Sequence, residues 1–275
     1  MLTIGKILLV LFGGYLLILL LSVVFQDRMV FFPDPNLTAS PADIGLAYED
    51  VWLTNADGYT LHGWYVPGPK ADTRCTALFL HGNAGNISHR LDMLKVIYDL
   101  GLNCLILDYQ GYGQSQGTPS EQGLYMDAQT AWTWLVGTKD VHDEEIVCWG
   151  RSLGGPVAAR LARDNGPGAL IIESTFTSLP ELGQEHYPFL PVKLISRLSF
   201  PTLSYIQEVT CPVLVVHSSE DELVPYAFGQ KLYKTAREPK ELLTIQGDHI
   251  SGFLVSKKRY VRGIQKFLKN HNLVH

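Results

Sequence analysis

Charge is scarce in this chain. Only 18% of its 275 residues are charged, and 27 acidic side chains outnumber 22 basic ones. A formal net charge of -5 leaves no broad basic surface, so nucleic acid is not expected as a partner. Cysteine is sparse too. Cys75, Cys104, Cys148 and Cys211 lie far apart, without the short paired spacings of a zinc site or a small disulfide scaffold. They sit in or beside apolar segments and read as buried thiols. Internal repeats and low-complexity tracts are also missing. The composition is 46% apolar, enough to bury a sizeable core in one large domain or two small ones.

Residues 7–25 form an apolar stretch of nineteen residues that contains no charge. As a helix rising 1.5 Å per residue it would span about 28 Å, close to the thickness of a hydrocarbon core. A cleaved signal peptide is the competing reading. The run is longer than a usual signal core, however, and no Ala-x-Ala-like site precedes Phe25-Gln26-Asp27. An uncleaved, single-pass membrane anchor with its flank over 1–30 is therefore expected. Lys6 before the span, against Arg28 beside Asp27 after it, favours an inside N-terminus and an extracytoplasmic catalytic domain. Pro33 and Pro35 block regular structure, so 31–42 reads as a linker and 43–275 as the folded domain.

Within that domain, residues 50–54 and 59–66 flank Asn55-Ala56-Asp57-Gly58, a hairpin signal. Short apolar runs follow at 77–80, 103–107, 146–149, 169–172, 213–216 and 242–245, mostly separated by helix-length segments. Strands joined by crossovers imply an α/β fold with a mostly parallel, eight-stranded sheet and helices on both faces. Asn86 or Ser88 can cap the helix running to Leu100, which Gly101 can end. Residues 175–208 are too long for a simple connection and rich in proline and large apolar side chains. They read as a small helical cap inserted over one edge of the sheet.

Gly150-Arg151-Ser152-Leu153-Gly154 matches Gly-x-Ser-x-Gly. With 25 glycines in the chain, such a match arises by chance roughly one time in ten, so the flanks must decide. Residues 146–149 read as a buried strand and 156–162 as a helix. A turn that tight between them demands glycines and lifts the serine above the sheet. A serine hydroxyl needs a histidine to take its proton and a carboxylate to fix the histidine tautomer. Among the nine histidines, His249 is the one that follows a late strand and a glycine-bearing loop. For the carboxylate, Asp221 competes with its neighbour Glu220 and with Glu173 at a strand end. Asp248 reads as a loop-stabilising residue.

Acyl transfer also places negative charge on the carbonyl oxygen, which two backbone N–H groups can stabilise. One is expected from Leu153. The other is expected from the loop His81-Gly82-Asn83-Ala84-Gly85-Asn86, at Asn83, with His81 structural. The cluster Gly111-x-Gly113 misses dinucleotide spacing because the third glycine is Gly117, so it reads as a tight turn. In the cap, Phe176, Tyr187, Phe189 and Leu190 are candidates for an acyl pocket, against the plainer reading that they cover the sheet. The basic residues of the last helix, among them Lys257, Arg262 and Lys269, read as a solvated face.

Together these residues resemble the membrane-anchored α/β-hydrolase-domain proteins that share a His-Gly-Asn-Ala-Gly-Asn loop and include relatives of protein depalmitoylases. The likeness runs from about Phe31 to Lys266. It takes in Phe-Phe-Pro at 31–33, His81 to Asn86, Asp108 to Ser115, Gly150 to Gly154, Glu173-Ser174, Cys211 to Leu214, Asp221 to Pro225 and Gly247 to His249. The resemblance implies the α/β-hydrolase fold with Ser152 as nucleophile, His249 as base, and Asp221 as acid through Asp-x-x-Val-Pro. It makes Asn83 and Leu153 the oxyanion donors. The chain departs from the family at Ser218, where glycine is common, and at Ile250-Ser251, where Asn-Asp is common. Those departures bear on substrate preference.

The expected activity is hydrolysis of a carboxylic ester or thioester, of a small molecule or a lipid, through an acyl-enzyme. Neither metal nor organic cofactor is implied. Amide or peptide cleavage by the same residues, and a non-catalytic binding protein on the same fold, are the alternatives.

Overall fold

The computed structural model describes residues 2–274; Met1 and His275, the outer ends of the expected anchor and hydrolase segments, lie outside the described residues. The chain begins with α1 (Leu2–Val24) and α2 (Gln26–Val30). Then come β1 (Phe32–Pro33), β2 (Glu49–Thr54), β3 (Thr60–Val66), β4 (Thr76–Leu80), β5 (Ala84–Gly85), α3 (Leu91–Asp99), β6 (Asn103–Leu107), α4 (Glu121–Gly137), β7 (Ile146–Arg151), α5 (Gly154–Asn165) and β8 (Ala169–Glu173). The remainder is α6 (Leu179–His186), α7 (Val192–Ile195), α8 (Thr202–Ile206), β9 (Val213–Ser218), α9 (Tyr226–Thr235), β10 (Lys240–Ile245), α10 (Gly252–Val255) and α11 (Lys257–Asn270).

Eight strands form one sheet in the order β2-β3-β6-β4-β7-β8-β9-β10. The β2–β3 and β3–β6 pairs are antiparallel and the other five are parallel. This is the expected α/β-hydrolase architecture, and its strands show why it forms. Every residue of β4, β6 and β8 is buried, as required of a parallel sheet covered on both faces. One core lies under α4, α5, α8 and α9, with Leu78, Leu105 and Val215 pointing into it. The other lies under α3 and α11, with Trp64, Phe79 and Trp149. Gly58 at φ +83° turns the β2–β3 hairpin. The Asn86 side chain accepts from Ser88 N–H at 2.9 Å, capping the 3-10 turn that leads into α3.

Two segments depart from their sequence readings. Residues 31–42, read from the sequence as the linker, lie strapped onto the domain, which that reading did not include. Phe31 is buried and meets Phe200 edge to face at 6.3 Å, while β1 pairs in parallel with β5. Asn86 Nδ2 donates to the carbonyls of Asp34 at 3.0 Å and Asn36 at 2.7 Å. Prolines stop this segment joining the large sheet, but they leave its carbonyls free to accept. Of the insertion between β8 and β9, α6 and α7 pack on each other, whereas α8 packs on α5 as part of the body.

Among the described residues, one helix is long and apolar enough to cross a membrane, over Ile4–Val24. Its side chains are mostly exposed. Leu19, Ser22, Val23, Gln26 and Val30 are partly covered, a helical stripe of three- and four-residue steps.

Candidate active site

Ser152, Asp221 and His249 come from three turns at the C-terminal ends of neighbouring parallel strands, after β7, β9 and β10. This is the edge at which open α/β sheets place their ligand crevices. Ser152 sits at φ +52°, a left-handed conformation that costs a non-glycine residue about 1–3 kcal/mol. The turn is held shut by contacts that only glycine permits. A Cβ on Gly150 would lie 2.1 Å from the Gly154 carbonyl oxygen, and one on Gly154 would lie 1.9 Å from that of Leu80. Ser152 N–H donates to the Glu173 carbonyl at 2.9 Å, which ties the turn to the next strand.

Ser152 Oγ stands 3.1 Å from His249 Nε2, and His249 Nδ1 stands 2.9 Å from Asp221 Oδ2. An ionised carboxylate only accepts, so the proton belongs on Nδ1 and Nε2 is left to accept from the Ser152 hydroxyl. Burial pushes the Asp221 carboxyl up, but the hydrogen bonds from His249 and from Val224 N–H outweigh it and hold the group below the usual carboxylate range. His217, buried behind it, is pushed down by that burial, although its bond to the Val224 carbonyl and the Asp221 charge oppose the shift.

The rival carboxylates are engaged elsewhere. Glu173 accepts from the Tyr260 hydroxyl and faces Arg151 Nε at 3.3 Å, while Glu220 accepts from Gly247 N–H at 2.9 Å. Asp248 accepts from the N–H groups of Ile250 and Ser251, bracing the turn that carries His249.

Two backbone N–H groups, of Asn83 and Leu153, have no protein acceptor among the described residues, and both residues line the cavity above Ser152. Their directions follow from the planarity of the peptide, whose N–H points opposite to its carbonyl. The Gly82 carbonyl is held from behind by His81 Nδ1 at 2.7 Å. The Ser152 carbonyl is held by Thr175 Oγ1 at 2.7 Å and by Gly155 N–H at 2.9 Å. Both peptides are thereby turned with their N–H groups away from those partners.

His81 is fully buried, and that burial, with the charge of Arg90, pushes it down to about 3, so it remains neutral. The turn after β6 supports the same loop. Tyr109 donates to the His81 carbonyl at 3.2 Å, and Tyr112 to the Asn83 carbonyl at 2.8 Å.

The cavity measures about 210 Å³ and is lined by Ser152, Asn83, Leu153 and mainly apolar side chains. Of the four residues expected to form an acyl pocket, Phe176, Tyr187 and Leu190 line it. Phe189 does not. It is 66% exposed, turned outward in the short segment between Pro188 and Pro191. The other face of the cavity was not foreseen, because Ser22, Gln26, Met29 and Val30 belong to the N-terminal helices. Nor were Thr175 and Arg151. Thr175 carries no motif signal, and Arg151 occupies a variable position of Gly-x-Ser-x-Gly. A larger cleft of about 790 Å³ lies between the β2 region, α4 and α5, but it holds none of these groups.

The arrangement, on this fold, is that of an α/β hydrolase. The family model for the alpha/beta hydrolase fold matches residues 78–187. An alpha/beta hydrolase domain-containing protein of Arabidopsis thaliana, WAV2, is 37% identical over 94% of this chain and 93% of its own length. The lysophosphatidylserine lipase ABHD12 of Macaca fascicularis is 35% identical over 68% of this chain, which corresponds to 51% of that longer protein. The solved structure of the Pyrococcus furiosus esterase Pf2001 superposes with a TM-score of 0.73 at 22% identity, covering 88% of this chain and 97% of that one. The chain belongs to the α/β-hydrolase family, and hydrolysis is the activity that this membership supports.

Proposed function

We propose that this protein is a membrane-anchored serine hydrolase that cleaves carboxylic ester or thioester bonds, with Ser152 as nucleophile, His249 as general base and acid, and Asp221 fixing the imidazole. The observation that carries this reading is the chain of contacts from Ser152 Oγ through His249 to Asp221, at 3.1 and 2.9 Å. It lies beneath a cavity lined by Asn83 and Leu153, whose N–H groups have no protein acceptor among the described residues.

Ser152 Oγ attacks the substrate carbonyl carbon while its proton passes to His249 Nε2. The carbonyl oxygen takes up the negative charge between the two N–H groups, each worth about 2.7–4 kcal/mol in the transition state. Collapse breaks the bond to the leaving oxygen or sulfur, which receives the proton from His249. Water then gives a proton to His249, attacks the acyl-serine carbonyl and releases the acid, and Ser152 recovers its proton.

The apolar lining supports lipid-derived or lipidated acyl groups as substrates. Residues 1–30 then serve as the anchor, 31–42 as a strap, and 43–275 as the hydrolase domain, which we place on the extracytoplasmic side. ABHD12, named a lipase, is a relative with which this reading agrees.

The test is turnover of 4-nitrophenyl acetate, with fluorophosphonate labelling of the folded protein. Ser152→Ala is expected to abolish labelling and to lower kcat by about 10³-fold or more. Full turnover by that variant would falsify the assignment, and a failure of wild type to label would favour a binding protein. Ester and amide substrates of matched acyl group separate esterase from amidase.

A further inference from the structure

We propose that the cavity above Ser152 opens into the bilayer between the N-terminal helix and the cap, so that the acyl chain of a bilayer-resident ester enters from the lipid side. The inference rests on the membrane-anchored esterase reading and adds a route and a binding wall to it.

The first observation is that the anchor is part of the cavity. Ser22, Gln26, Met29 and Val30 line it together with Ser152. A tether that merely held the domain near a membrane would have no reason to supply that wall, and cleavage of the apolar helix as a signal would remove Ser22 from it.

The second is the depth at which cap and helix meet. Tyr15 Oη donates to the Phe189 carbonyl at 3.0 Å. Tyr15 lies nine residues before Val24, about 14 Å along the helix and near the middle of the apolar span. The polar contacts sit one level higher. Gln26 Oε1 accepts from the N–H groups of Arg197 at 2.6 Å and Leu198 at 3.0 Å, and Asp27 pairs with Arg197 at 3.1 Å. The junction is thus apolar beside the span and charged just beyond its end, as a lipid–water boundary near Val24 requires.

The third is the chemistry of the cap tip. Phe189 is 66% exposed and Leu194 86% exposed. Large apolar side chains presented this way are stabilised by lipid and not by water. Backbone in lipid must satisfy its own polar groups, since no water reaches it. The tip largely does so. Gln184 Nε2 lies 3.0 Å from the Leu190 carbonyl and 3.4 Å from those of Tyr187 and Pro188, and Tyr15 serves that of Phe189. Pro188 and Pro191 bring no N–H that would need a partner.

Two measurements on the full-length protein in phosphatidylcholine vesicles test this. Leu194→Cys offers a single exposed thiol, because the four native cysteines are buried, and it can carry an environment-sensitive fluorophore. Quenching by lipids spin-labelled on their acyl chains is expected. Quenching by aqueous iodide alone would overturn the proposal. Ser22→Phe narrows the helix side of the opening, so the rate ratio of 1-palmitoylglycerol to 4-nitrophenyl acetate is expected to fall by about tenfold or more. An unchanged ratio overturns the lipid-side route while leaving the esterase reading intact. If neither ester is turned over faster than by Ser152→Ala, the esterase reading itself has failed, and with it the route that depends on it.

Discussion

Thr175 Oγ1 donates to the Ser152 carbonyl at 2.7 Å, from a position two residues past the end of β8. That contact holds the Ser152–Leu153 peptide with its N–H on the side away from Thr175, where it has no protein acceptor among the described residues. Thr175→Val keeps the shape and loses the donor. We expect kcat to fall about tenfold with KM nearly unchanged, because the lost help is felt where charge develops on the substrate oxygen. A rise in KM at constant kcat would show that Thr175 shapes the pocket instead.

Arg151 joins the serine turn to the histidine turn. Its Nη2 donates to the carbonyls of His249 and Ile250, both at 2.8 Å, and its Nε faces Glu173. The guanidinium also lies over the Phe253 ring at 4.7 Å. Removing it frees the loop that sets the His249 position, and misplacement by about 1 Å costs as much as 10²-fold. Arg151→Ala is expected to lose about 10- to 100-fold in kcat. Arg151→Lys should restore little, since one ammonium cannot hold two carbonyls and a carboxylate in one plane. Full activity in the lysine variant would show that charge alone suffices.

Burial pushes the Asp108 carboxyl up to about 8, against the opposing pull of Ile87 N–H and Arg90. Burial likewise pushes Asp127 up to about 6, against bonds from Gln110 N–H and Asn55. A carboxyl raised on folding binds its proton more tightly in the folded state. Its stabilising contribution is complete below about pH 4 and is lost as pH rises, through about 6 for Asp127 and about 8 for Asp108. Asp108→Asn mimics the protonated acid, so its urea midpoint should gain on wild type as pH rises from about 4 to about 8. Parallel pH dependences of the two midpoints would rule this out.

Two glycines make opposite predictions for stability. A Cβ on Gly154 would lie 1.9 Å from the Leu80 carbonyl oxygen, backbone that cannot give way. Gly154→Ala should therefore cost about 3 kcal/mol or more, or prevent folding. Gly137, at the end of α4, has nothing within 4 Å of an added Cβ, and Gly137→Ala should stabilise by about 0.4–1 kcal/mol. Thermal unfolding of the two variants side by side decides whether contact or chain flexibility governs each site.

Elements whose causes are local were legible without coordinates. The buried strands, the hairpin at Gly58 and the strand-to-helix turn around Ser152 each follow from residue types a few positions apart, and the apolar run over 7–25 follows from composition alone. Ser152 and His249 stood out by motif and position, whereas Asp221 was set apart from Glu220 and Glu173 only by the family resemblance. What could not be read is where separate segments meet. Residues 31–42 look like a linker because prolines exclude them from a sheet, yet those prolines leave carbonyls that Asn86 grips. Phe189 looks like pocket lining because it is large and apolar, yet it is exposed, and Ser22 takes up cavity wall from within a run that hydropathy assigns wholly to lipid. Contact between residues more than a hundred positions apart depends on the path of the whole backbone. Periodicity and composition report only which face of a segment prefers to be covered, and the folded chain settles by what.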